Sequence, residues 1–277
     1  RPVLCGDMSD DAFFLGSQGG RIGQRMVRKV VHDRAREAGV VGQLLPAIDD
    51  ESYERLFATC RAYPGYCLPM MGLHPTSVND NPRWREALER VERLLADPPG
   101  MRFRAVGEIG LDFYWSDGFR TEQTEALRRQ IELALRYDLP IAVHTRSAWS
   151  EMTALIETFA GSGLRGVFHA FSDTAETYRR LRACGDFAFG IGGVVTFKKS
   201  PLAEVVRRMD PDDLVLETDC PYLTPTPYRG RRNEPAYVAL VCEAVARLTG
   251  LAPAAIAERT TRRAERLFGL QLTEETT

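Results

Sequence analysis

From residue 22 onward the apolar positions switch back and forth between two periods. Ile22, Met26, Val27, Val30, Val31, Ala35 and Ala38 recur at helical spacing, and Gly39 is placed to end that helix. A strand-like run follows over 40–48, interrupted by Pro46, then a helical pattern over 52–63 and another strand over 66–72. A helix is expected over 82–96. Further strands are expected over 103–112, 139–146, 164–171, 187–191 and 214–218, each followed by a helical pattern: 122–137, 149–160, 175–184, 201–209, and the pair 235–249 and 253–268. Asp173 or Thr174 is placed to cap the helix at 175.

Strict strand–helix alternation builds a parallel sheet. Seven such units are readable from residue 40. If Pro2–Cys5 supplies a weak or incomplete first strand, the count reaches eight and a single (β/α)8 TIM barrel is the natural closure. A doubly wound open sheet is the competing architecture, but no Gly-x-Gly-x-x-Gly turn follows a strand here. The expectation is one α/β barrel domain over 1–270, with 1–20 an atypical, loop-like amino-terminal segment and 271–277 a polar tail.

The chain's 277 residues, 44% hydrophobic, suffice for one large core. Thirty-six basic and 38 acidic residues give a net charge of -2, so a polyanion would have to be held locally rather than drawn in by a global field. No apolar run approaches the roughly 20 residues of a membrane helix, and no signal-peptide centre is visible. The expectation is a cytoplasmic protein with no membrane and no obligate protein partner. The six cysteines lack any Cys-x-x-Cys pair and are expected to be reduced thiols. His32 falls on the polar face of its helix and is expected to be solvated.

Four of the predicted strands end on or near side chains able to bind a metal: Glu108, His144, His169 and Asp219. In a barrel these carboxyl ends meet on one face. Imidazole nitrogens with carboxylate oxygens suit zinc, manganese or iron and leave positions for water and substrate. Such an ion polarises an ester oxygen and lowers the pKa of bound water toward ~7, so the class of chemistry is metal-assisted hydrolysis. Each residue alone also fits a hydrogen-bonded structural role; four on four strands make a poor accident. Arg229, Arg231 and Arg232 follow the Asp219 strand, and Lys198 and Lys199 follow the strand before it, where arginine's fork matches phosphate oxygens. The competing reading is solvated surface charge. Tyr114 and Trp115 are suited either to stacking on bases or to core packing.

Gly107-Glu108-Ile109-Gly110-Leu111-Asp112, His144-Thr145-Arg146, His169-Ala170-Phe171-Ser172 and Glu217-Thr218-Asp219-Cys220-Pro221-Tyr222 resemble, in order, the motifs of the TatD family of metal-dependent deoxyribonucleases. Gly72-Leu73-His74-Pro75 and the stretch Arg229-Gly230-Arg231-Arg232-Asn233-Glu234-Pro235 resemble further family segments. The resemblance spans about residues 22–270. It implies a barrel hydrolase that cuts phosphodiester bonds in DNA at a two-metal centre, often from the 3′ end of single strands. By position, Glu108 would bridge two divalent ions, His144 and His169 would bind one, and Asp219 would bind the other and orient the attacking water. Glu108 and Asp219 would thus be catalytic. His74, Arg146, Lys198 and the loop carrying Arg229, Arg232 and Asn233 would face the substrate phosphates. Magnesium, manganese and zinc are not distinguished.

The family's first strand ends on Asp-x-His-x-His, which this sequence lacks. The nearest alignment puts Cys5 and Asp7 where those histidines fall. The expectations are an incomplete or frame-shifted amino-terminal stretch, or a protein with one metal instead of two, or replacement of the ligands by Cys5 and Asp7. Two functional alternatives follow: a one-metal or impaired barrel that keeps nucleic-acid binding, and an amidohydrolase-like hydrolase of small molecules.

Overall fold

Strands and helices alternate along the computed structural model, which describes residues 2–4 and 24–272, with the backbone alone for 2–4 and 24–27. The strands are β1 (Pro2–Leu4), β2 (Gly42–Leu45), β3 (Cys67–Pro69), β4 (Val106–Asp112), β5 (Ile141–Arg146), β6 (Arg165–Phe168), β7 (Asp186–Ile191) and β8 (Leu214–Leu216). The helices are α1 (Gln24–Glu37), α2 (Tyr53–Ala62), α3 (Trp84–Ala96), α4 (Arg120–Arg136), α5 (Trp149–Glu157), α6 (Ala175–Cys184), α7 (Leu202–Val206), α8 (Val238–Thr249) and α9 (Pro253–Phe268). Every described pairing is parallel and between neighbours in sequence, β1 to β3 in one set and β4 to β8 in the other. A parallel bridge between Met71 and Val106 joins the two sets. The order is that of a (β/α)8 TIM barrel, and Pro2–Leu4 takes the place of its first strand.

Successive strand side chains alternate between faces, so the packing partners sort the barrel's inside from its outside. Ile141 and Val143 of β5 join the large cluster that contains the helix residues, whereas Ala142 joins a second cluster with Leu44, Leu68, Met70, Ala105, Val167, Ala188 and Val215. These are the inward positions. They form an apolar layer, closed from below by Ala264, Leu267 and Phe268 at the end of α9 and by Leu270 just after it. The next inward positions toward the strands' carboxyl ends are His144, His169, Gly190 and Glu217. A polar layer thus rests on an apolar floor.

β4 departs from simple alternation through a bulge. The β4–β5 register shifts between Gly107 and Ile109, so that Val106, Ile109 and Leu111 all pack outward while Glu108, Gly110 and Asp112 remain for the inside. Gly110, at φ 154, leaves room for β5: a Cβ there would lie 1.9 Å from the His144 carbonyl oxygen.

Several expectations are sharpened. Gly39, at φ 80, ends the first helix, and Thr174 is the cap of α6, accepting from the Thr177 N–H at 3.1 Å. The strands are shorter than the apolar runs suggest: Glu108 and His144 lie within β4 and β5, while His169 and Asp219 lie beyond the ends of β6 and β8. His32 corrects the expectation of a solvated ring, because it stacks on Tyr63 at 4.6 Å between centroids and meets the edge of Tyr66. Cys60, Cys67, Cys184 and Cys242 are free, but Cys220 is disulfide-bonded, which corrects the expectation of reduced thiols at that position. Cys5 and Asp7 lie outside the described residues.

The floor's dependence on α9 can be tested. Phe268 is buried beneath the apolar layer, and Phe268→Ala should cost about 3–5 kcal/mol of unfolding free energy in urea titrations. A loss below about 1 kcal/mol would mean that the helix end does not close the barrel.

Candidate metal centre

Glu108 is the point on which the polar layer converges. Its Oε1 lies 3.0 Å from His144 Nδ1, 3.5 Å from His74 Nε2 and 3.9 Å from His169 Nε2. Three different strand ends bring these rings together: His74 follows β3, His144 is in β5 and His169 follows β6. Asp219 stands on the far side of His169, its Oδ1 3.5 Å from Nε2. Of the residues expected to bind metal, Glu108, His144, His169 and Asp219 therefore form one continuous cluster.

Two carboxylates that pattern reading overlooked hold the rings from behind. Glu217, fully buried, has Oε2 2.9 Å from His169 Nδ1 and accepts the Ala170 N–H on Oε1 at 2.7 Å. Ala170 is left-handed at φ 45, and that turn aims its N–H at the carboxylate. Gly190 makes the room, since a Cβ there would lie 2.3 Å from Glu217 Oε2. Asp112 has Oδ2 2.9 Å from His144 Nε2. A carboxylate behind an imidazole fixes which nitrogen presents its lone pair and raises its basicity, the usual support of a metal-binding histidine. Both acids were available to sequence reasoning: Glu217 is two residues before Asp219 and so shares its face, and Asp112 closes the strand of Glu108.

Buried Gln123 and Gln130, two turns apart on α4, set the backbone beneath this layer. Gln123 accepts from Asp112 N at 2.8 Å and donates to Asp112 O at 3.0 Å; Gln130 brackets Leu73 in the same way at 2.7 and 3.2 Å. The bracket at Leu73 places the next residue, His74. Thr76 N donates to His74 Nδ1 at 3.2 Å, so this nitrogen keeps its lone pair and the neutral ring directs its Nε2–H at Glu108.

Charge in this layer follows from opposed effects. Burial disfavours the charged form of Glu108, but the facing rings of His169, His144 and His74 overcome it and hold the carboxyl well below its usual range. Burial pushes His144 down, but Asp112 and Glu108 outweigh it and raise its pKa to about 9. His169 is likewise raised against burial by Glu217, Glu108 and Asp219. For His74 burial wins and the pKa falls, in keeping with a neutral ring. Without a metal, the cluster stores protons on two of its imidazoles.

The remaining expected residues divide. Arg146 is exposed, its guanidinium 3.6 Å from the Tyr114 ring centroid and 5.4 Å from that of Trp115. Arg229 is exposed over Phe197 at 4.0 Å, and the neighbouring Lys198 is exposed. Arg232 is partly buried. Asn233 is buried, and its side-chain amide donates to Thr218 O and Tyr222 O. It ties the loop after β8 back onto the segment that carries Asp219. Glu234 anchors the same loop to α1 through Arg34 at 2.9 Å.

The family described as "TatD related DNase" matches residues 22–269. The chain belongs to the TatD family. It is 35% identical over 240 residues to the "Uncharacterized metal-dependent hydrolase YabD" of Bacillus subtilis, covering 86% of this chain and 91% of that protein. It is 32% identical over 249 residues to the "3'-5' ssDNA/RNA exonuclease TatD" of Erwinia tasmaniensis, covering 88% and 94%. Among solved structures, the TatD homologue YJJV of Escherichia coli K12 superposes with a TM-score of 0.85 at 25% identity over 98% of both chains.

As a member of the TatD family, the chain is a metal-dependent hydrolase, and its donor set fits a divalent ion. The ligand-capable atoms of His74, Glu108 and His144 lie within 4.8 Å of one another. His169 extends the group, and Glu217 and Asp112 back two of the rings. Mixed imidazole and carboxylate donors suit zinc and manganese.

A stability test follows from His144. A ring raised from 6.5 to about 9 stabilises the metal-free protein fully below pH ~6.5, and this is lost as pH rises through about 9. In EDTA the melting temperature should therefore fall between these values, and added manganese, which takes the deprotonated ring, should remove the fall. A melting temperature in EDTA that is flat or rising over this range would contradict the assigned charge state.

Proposed function

We propose that this TatD-family hydrolase cleaves phosphodiester bonds in single-stranded DNA, acting from a 3′ end. The observation that carries the reading is the pairing of a histidine-encircled Glu108 with Asp219 across His169, with exposed Arg146 two residues beyond His144 on the same strand. This supplies ligands for a divalent ion and a cationic fork for phosphate at one mouth. The exonuclease name of the Erwinia relative points the same way.

Glu108, His144 and His169 would hold the ion, with Asp219 beside it. A divalent ion in such a site polarises a phosphoryl oxygen and acidifies its bound water. Asp219, partly exposed and left-handed at φ 54, would orient a water and accept its proton. Glu217 keeps His169 Nε2 directed at Glu108 and Asp219, and Asp112 holds His144. His74, whose Nε2 faces Glu108 at 3.5 Å, would stand beside the ion near the substrate phosphates. Arg146, Arg229 and Lys198 would take the backbone phosphates.

One reading has its own support. Glu108, His144 and His169 would give one ion three protein ligands, with His74 in the same cluster, whereas a second ion would be left with Glu108 and Asp219 among the described residues. One tightly held ion, and slower hydrolysis than a full two-metal centre, follow from that count.

Glu108→Gln, His169→Ala and Asp219→Asn should each lower manganese-dependent release of nucleotides from a 3′-labelled strand by at least ~100-fold, since even residues behind metal ligands are worth 10–100-fold. Wild-type rates in all three would remove the assigned site. Hydrolysis of a small ester or amide by a wild-type protein inert toward DNA and RNA would favour the amidohydrolase-like alternative.

Arg229→Ala combined with Lys198→Ala should flatten the salt dependence of single-strand binding by about 0.7 in the log–log slope for each phosphate left without a cation. An unchanged slope would make these two residues ordinary surface charge.

A further inference from the structure

Five large apolar side chains are exposed among the described residues: Val41, Tyr114, Trp115, Tyr222 and Leu223. Four of them sit on just two loops, those after β4 and β8, which also carry the groups around Asp112 and Asp219. Exposed apolar surface concentrated at the mouth of a hydrolytic site marks a place where a ligand is received. Trp115 stands out even in this set, with 69% of its surface open. Core packing, the competing role for this residue, is therefore excluded.

The side chain is nonetheless held. Tyr114 meets Trp115 edge to face, with centroids 5.1 Å apart and planes at 84°. The Arg146 guanidinium lies over Tyr114 at 3.6 Å and reaches Trp115 at 5.4 Å. Stacking occupies the face of a guanidinium and leaves its in-plane N–H donors available to phosphate. The unit is also tied to the metal ligands: Tyr114 N donates to Asp112 Oδ1 at 3.0 Å, and Asp112 in turn faces His144. An exposed indole, a braced arginine fork and the metal ligands are thus linked in one short run of interactions.

We infer that Trp115, braced by Tyr114 and Arg146, is a stacking platform for a base of the bound strand, while Arg146 takes a phosphate of the same strand. The inference rests on the nuclease reading above and adds the reason for a preference for single strands. A paired base has both faces covered by its neighbours in the duplex, whereas an unpaired one can leave its stack for the indole at little cost. Stacking of this kind tolerates any base, so the platform gives strand selectivity without sequence selectivity.

The test compares two substrates of equal length and charge, an oligothymidylate and a strand of abasic residues, cleaved by the metal-loaded enzyme. Trp115→Ala should raise KM for oligothymidylate by roughly 5- to 150-fold, the range spanned by one base–aromatic stack, with little change in kcat. Trp115→Phe should recover most of the loss. On the abasic strand the wild-type and Trp115→Ala enzymes should have the same KM, which also reports that the variant is folded. Equal KM values for the two enzymes on oligothymidylate would overturn the platform while leaving the nuclease reading intact. An equal loss on both strands would make Trp115 a support for phosphate binding and would likewise overturn it. Failure of the wild-type enzyme to cut either strand would bring down the nuclease reading and this inference together.

Discussion

A charged carboxylate taken out of water must be compensated by charge or hydrogen bonds, and this constraint organises the mouth of the barrel. An uncompensated buried ion costs several kcal/mol. Glu108 is buried and meets that demand with imidazoles from three strand ends, at 3.0, 3.5 and 3.9 Å. Two of those rings carry raised pKa values and would themselves be costly cations inside the protein without Asp112 and Glu217 behind them. The glycines at 110 and 190 let these groups approach. An ion entering the cluster would replace stored protons as the source of positive charge, so the same geometry serves the metal-free and the loaded protein.

The apolar floor has the complementary task. Ala105, Ala142 and Ala188 are small and the end of α9 fills the space they leave, which keeps water away from the underside of the polar layer. Low local polarity strengthens each ion pair above it. The segments after β6 and β8 accept left-handed backbone at Ala170 and Asp219, a strain of order 1–3 kcal/mol each, and the tightly packed layer beneath is what allows it to persist.

Much of this was readable from hydrophobic period alone. Alternation located β2 through β8 and the helices between them, because strands buried on both sides leave apolar runs that end at the polar layer. The cluster of Glu108, His144, His169 and Asp219 was legible because a parallel barrel must bring strand ends together. What period could not show was the bulge at Gly107–Ile109, which puts Glu108 on the inside by breaking the very alternation used to find it. Nor could it show that Asn233 turns its amide to loop carbonyls, since a polar residue in a basic loop looks the same whether it faces phosphate or backbone. Gln123 and Gln130 passed unnoticed for the same reason: polar residues on an amphipathic helix are assigned to solvent until their partners are seen.

The central claim is that Glu108 and its encircling histidines form a metal site whose protons are displaced on binding. Isothermal titration of the metal-free protein with zinc or manganese near pH 7, repeated in buffers of different ionisation enthalpy, measures both stoichiometry and proton release. The account predicts about one tightly bound ion per chain, with protons released to the buffer, and loss of both signals in Glu108→Gln. Tight binding without proton release, or binding that survives Glu108→Gln unchanged, would contradict it.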